Sequence, residues 1–111
     1  PIRGGVEMIH VSIPTAQELK RHISPERFYR DMLDGYIGRH TGNDWHKWIG
    51  LCPFHDDTRP GSVVINLQSG AFKCFSCGTG CSDIINFYQQ YTGCDCKQAL
   101  KDIGGFYAIH S

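Results

Sequence analysis

Cys52-Pro53-Phe54-His55, an eighteen-residue interval, then Cys74-Phe75-Ser76-Cys77-Gly78 decides how this chain folds. It is a C-x2-H pair followed by a C-x2-C pair. Two intervening residues let a tight turn aim both side chains of a pair at one ion. Two such pairs supply the four tetrahedral positions that structural zinc takes from thiolate and imidazole. The predicted ligands are Cys52, His55, Cys74 and Cys77.

Other chemistries fit less of the pattern. A redox C-x-x-C at Cys74 and Cys77 needs a strand before it and a helix directly after it in a thioredoxin-type unit, which the flanks do not provide. Haem attachment needs His after Cys77, where Gly78 stands. A disulfide framework leaves His55 unexplained. Cys74, Cys77 and Cys81 overlap part of an iron–sulfur ligand run. Zinc uses both pairs and is the preferred reading.

Around this motif, 111 residues suffice for one small domain, whose modest core gains from a metal because metal-binding free energy becomes folding free energy. No apolar run approaches a membrane span and no signal-peptide pattern is present, so membrane partners are excluded and a cytoplasmic, reducing location is expected. Eleven Lys and Arg balance eleven Asp and Glu. Net charge thus gives no warrant for a nucleic-acid partner, and any basic surface must be local.

The first ligand pair is approached by residues 44–51 (DWHKWIGL), read as a strand. Residues 62–67 (SVVINL) and 71–75 (AFKCF) form the β-hairpin that carries the second pair. Upstream, Thr15 to Glu18 has capping-box form, and Ser24-Pro25-Glu26 restarts a helix with Phe28, Met32 and Leu33 on one face and Gly35 as its stop. Residues 36–43 read as loop. Downstream, Ser82-Asp83 opens a helix through Tyr91 that ends at Gly93. Asp95 opens another, with Ala99, Leu100 and Ile103 apolar and Gly104-Gly105 as its stop. Cys94 and Cys96 read as free thiols or packing residues. The expected fold is α+β, a small zinc ribbon with an antiparallel sheet flanked by short helices. Residues 1–14 are expected to be a leader, not native to the chain ahead of Met8, and residues 15–111 the domain.

With these residues in place, the chain resembles the zinc-binding domain of bacterial-type DNA primases and of related phage and plasmid primase–helicases. The resemblance rests on Cys52-Pro53-Phe54-His55, the acidic Asp56-Asp57 turn, Pro60 and Ser62, Phe72 to Gly78, and Ser82-Asp83, and it covers residues 23–103. Gly61 is extra in the Pro-Ser step, Val63 replaces a usual Phe, and Cys81 replaces a common Gly, which makes Cys81 an alternative to His55 as the fourth ligand. The resemblance implies a domain that engages single-stranded DNA template at the start of primer synthesis, next to a primase polymerase domain and a replicative helicase. Nucleotidyl transfer in the family belongs to another domain with clustered carboxylates. Asp56 and Asp57 are adjacent and cannot stand in for them, so this chain is expected to be non-catalytic alone. The contrasting expectation is a structural or protein-docking zinc ribbon without nucleic-acid binding, which the neutral charge favours.

Strand alternation places Lys73 opposite Phe72 and Cys74. With Arg59, Lys47 and Trp48 it forms the expected nucleic-acid-binding set: cations for phosphates and a ring for base stacking.

Overall fold

The computed structural model describes residues 13–109. The expected start at Met8 and nearly all of the expected leader lie outside that range. Two short helices, α1 (Ala16–His22) and α2 (Pro25–Met32), precede a sheet of five antiparallel strands. These are β1 (Gly35–Gly42), β2 (Trp45–Gly50), β3 (Val63–Asn66), β4 (Phe72–Cys74) and β5 (Gly80–Cys81), neighbours in space in their chain order. Helices α3 (Ile84–Thr92) and α4 (Cys96–Phe106) close the fold. This is the α+β class expected. Among the described residues no helix is long and apolar enough to cross a membrane.

The helix starts follow the local chemistry. Thr15 and Glu18 make a reciprocal capping box, with Glu18 N–H donating to Thr15 Oγ1 and Thr15 N–H to Glu18 Oε1. Ser24 caps α2 ahead of Pro25, and Asp95 caps α4. At α3 the cap is Asp83, one residue later than Ser82, since the Asp83 carboxylate accepts from Asn86 N–H at 2.8 Å. Gly93 ends α3 in the left-handed conformation at φ 80°.

Two glycine assignments are corrected. Residues 36–43 are largely strand: β1 pairs with β2, and α2 already stops at Met32. Gly35 pairs with Gly50, and together they make a slot for the Trp48 indole. A Cβ at Gly35 would stand 2.8 Å from Trp48 Cε2, and one at Gly50 would stand 2.6 Å from Nε1. Helix α4 likewise runs past Gly104 to Phe106. Gly104 is there for close packing, since a Cβ would lie 2.7 Å from Pro14 Cγ. Pro14 is itself buried, so the folded unit reaches at least to that residue.

The core is aromatic. Phe28 and Tyr29 of α2, Phe72 of β4 and Phe87 of α3 are fully buried, with Tyr29 and Phe87 edge-to-face at 4.9 Å. The Tyr29 hydroxyl donates to the Gly70 carbonyl at 2.6 Å, tying α2 to the β3–β4 turn. Burial drives the Tyr29 phenol pKa far above its ordinary value. Phe54, between the first two ligands, sits 5.4 Å from both Phe72 and Phe87. The first knuckle is therefore anchored in the core by its own aromatic residue.

Candidate metal centre and sheet surface

The ends of β2 and β4 deliver the two ligand pairs to one place. One donor atom from each of Cys52, His55, Cys74 and Cys77 lies within 4.8 Å of all the others, and this is the only such metal-binding cluster among the described residues. Cys52 Sγ is 3.9 Å from Cys77 Sγ, and Cys74 Sγ is 3.9 Å from His55 Nδ1. A tetrahedral ion with Zn–S bonds of about 2.3 Å holds two sulfurs about 3.8 Å apart. Donor set and spacing both fit zinc, with no fifth group needed.

Backbone turns shape the pocket. Phe54 N–H donates to Cys52 Sγ at 3.4 Å, and Gly78 N–H donates to the Cys74 carbonyl at 2.9 Å, closing the second knuckle. Gly78 holds φ at 81°, a conformation that favours glycine. The thiols differ in character. Burial pushes Cys52 up to about 12, while the Thr79 hydroxyl, 3.1 Å from Cys77 Sγ, brings Cys77 down to about 6. A bound divalent cation deprotonates coordinating thiols outright. Asp57 accepts from Cys52 N–H at 2.8 Å, and chiefly through that bond its carboxyl is held below the usual range.

Cys81 stands apart. It lies on β5 opposite Phe72, buried in the core, and burial raises its thiol to about 11. It is not a member of the cluster, so the partial iron–sulfur run is not assembled. Cys94 packs at the core margin and Cys96 is exposed at the start of α4.

The expected nucleic-acid set divides. Trp48 is fully buried, and its removal from that set is a correction. Alternation along β2 puts Lys47 and Trp48 on opposite faces, and the Gly35–Gly50 slot draws the indole inward. Among the described residues its Nε1 has no hydrogen-bond partner. Arg59 is exposed in the loop before β3, where its N–H reaches Asp57 Oδ1 at 3.5 Å, and it does not line the surface that holds the lysines.

Lys47 and Lys73 do converge. Both are paired in register with Val64, one from each side, so they share a sheet face. The groove there is lined by Trp45, Lys47, Val64, Lys73 and Phe75, with the β1–β2 turn at one end. Its volume is about 530 Å³. Lys73 Nζ lies 5.5 Å from the Phe75 ring centroid, and Lys47 Nζ donates to the Gly61 carbonyl at 2.8 Å. Phe75 is 66 % exposed, although it occupies the turn between two ligands. Trp45 and Phe75 were legible from the same alternation, being two residues from Lys47 and Lys73 respectively.

Comparison with known proteins gives consistent matches. The family described as CHC2 zinc finger matches residues 18–111. The chain is similar to the DNA primase of Lactococcus lactis, with 28 % identity over 103 residues, covering 92 % of this chain and 15 % of that protein. A shorter segment of 54 residues is 43 % identical to the DNA primase of Mycoplasma pneumoniae, covering 49 % of this chain and 8 % of that one. The chain thus spans a small fraction of these relatives. Among solved structures, the Aquifex aeolicus primase (zinc-binding and RNA polymerase domains) aligns with a TM-score of 0.62 at 26 % identity. That alignment covers 86 % of this chain and 21 % of the other.

Proposed function

The chain belongs to the CHC2 zinc finger family, and on that premise we propose that this zinc-binding primase domain holds single-stranded DNA template on the sheet face of Lys47 and Lys73. Cys52, His55, Cys74 and Cys77 hold the zinc, whose role is structural because four protein ligands leave no open position. The observation that carries the reading is the groove itself. Two lysines and two aromatic side chains face solvent together on a chain with no net charge. Cations meet phosphates there, while Trp45 and Phe75 offer ring faces on which any base stacks. Phe75 lies between Cys74 and Cys77, so the metal fixes the backbone of a template-contacting residue.

Arg59, exposed in the loop before β3, is in this reading a further cation for template phosphate outside the groove. The domain acts in a reducing cytoplasm beside a primase polymerase domain and a replicative helicase. It performs no nucleotidyl transfer itself, and the pure chain should make no primer on any template.

The test is titration of the zinc-loaded domain with fluorescent oligothymidylate at several salt concentrations. Two or three phosphate contacts give a slope of log K against log salt of about −1.4 to −2.1. Lys73→Glu should weaken binding and leave zinc content and melting temperature unchanged. Unaltered binding by that variant at low salt would remove this face from the account and favour a protein-docking ribbon.

A further inference from the structure

We infer that Asp57 is the positioning residue of the metal centre, one carboxylate that orients both members of the first ligand pair. This rests on the assignment of Cys52 and His55 as zinc ligands. The Asp57 side chain is only 9 % exposed, and its two oxygens face different groups. Oδ2 accepts from Cys52 N–H at 2.8 Å, while Oδ1 lies 3.6 Å from His55 Nε2. The other imidazole nitrogen, Nδ1, is the one turned toward Cys74 Sγ, at 3.9 Å. The ring therefore points Nδ1 into the cluster and Nε2 at a carboxylate. A neutral imidazole carries one N–H, and Oδ1 favours its placement on Nε2 because a carboxylate only accepts. That leaves the Nδ1 lone pair free for the metal. Such outer carboxylates fix the tautomer and raise ligand basicity, and their loss typically costs 10–100-fold in metal affinity.

A turn-forming aspartate would explain less. The Arg59 N–H contact with Oδ1, at 3.5 Å, suits a turn, but it does not require an oxygen against the histidine ring. Asp57→Asn separates the two roles. An amide keeps one oxygen for a backbone N–H, but it presents an NH2 where the second carboxylate oxygen stood. Asp56 supplies the control, because it is exposed and its conversion to Asn makes the same change in charge.

The experiment measures zinc affinity by chelator competition for the full chain, Asp57→Asn and Asp56→Asn, together with the ring 15N spectrum of His55 in the zinc-loaded chain. The expected result is a 10–100-fold loss for Asp57→Asn, less than two-fold for Asp56→Asn, and a protonated Nε2 with Nδ1 bound. Equal affinities of Asp57→Asn and the unmodified chain, or a spectrum showing Nε2 as the bound nitrogen, would overturn the inference alone. The spectrum needs no variant, so it decides even where Asp57→Asn folds poorly. Failure of the unmodified chain to hold one zinc would overturn the ligand assignment with it.

Discussion

Phe75→Ala isolates the stacking contribution of the sheet face. Phe75 is 66 % exposed and outside the buried core, so its truncation opens no cavity. Surface changes of this kind stay within about 0.5 kcal/mol of folding stability. The Lys73 ammonium, 5.5 Å from the ring, loses a cation–π contact worth about 0.5–1 kcal/mol, but the charge remains available to phosphate. One base stacked on an aromatic side chain contributes about 1–3 kcal/mol. Phe75 is largely open to solvent, and the middle of that range, about 2 kcal/mol, is a Kd raised about 30-fold. Anisotropy of labelled oligothymidylate at about 50 mM salt reads the change where phosphate contacts are strongest. The salt slope should be preserved, because no cation is removed. A Kd within two-fold of the unmodified domain, with zinc content intact, would refute the stacking argument.

Further outcomes follow from the packing and the metal. Gly50→Ala would drive a methyl into the Trp48 indole and should cost about 1–3 kcal/mol in chemical denaturation, since a Cβ would stand 2.6 Å from Nε1. Chelation should unfold most of the domain by circular dichroism and abolish oligonucleotide binding with it. By metal analysis, Cys77→Ser should lose the ion while Cys81→Ser keeps it, because Cys81 lies outside the cluster. Stability should also fall on the alkaline side. Burial holds the Tyr29 phenol well above its ordinary value and raises Tyr88 to about 12, whereas unfolded phenols ionise near 10. The contribution of the neutral phenols is therefore fully present below about pH 10 and is lost as pH rises through about 12, readable as a falling melting temperature.

The metal knuckles were legible because ligand spacing is a local property, and the helix starts because caps are written in three or four residues. What escaped were features set by distant partners. GYIGRHTG has neither alternation nor β-branched runs, and it becomes β1 because β2 supplies its hydrogen bonds. Gly35 and Gly38 read as punctuation and Gly50 as one more residue of its strand, but all three are spaces for Trp48 and Ile49. Two residues are too few to announce β5, and Gly104 reads as a helix stop unless Pro14 is known to lie against it. The sheet face was half visible. Alternation correctly separated Lys73 from Phe72 and Cys74, and the same rule applied to Lys47 would have exchanged Trp48 for Trp45.

Chemical-shift mapping of the zinc-loaded domain with a short oligothymidylate tests the central claim most directly, because its two tryptophans lie on opposite faces of one strand. Shifts should concentrate at the Trp45 indole N–H and at Lys47, Val64, Lys73 and Phe75, with the buried Trp48 indole N–H unmoved. Shifts confined to α3 and α4, or no shifts at low salt, would contradict it.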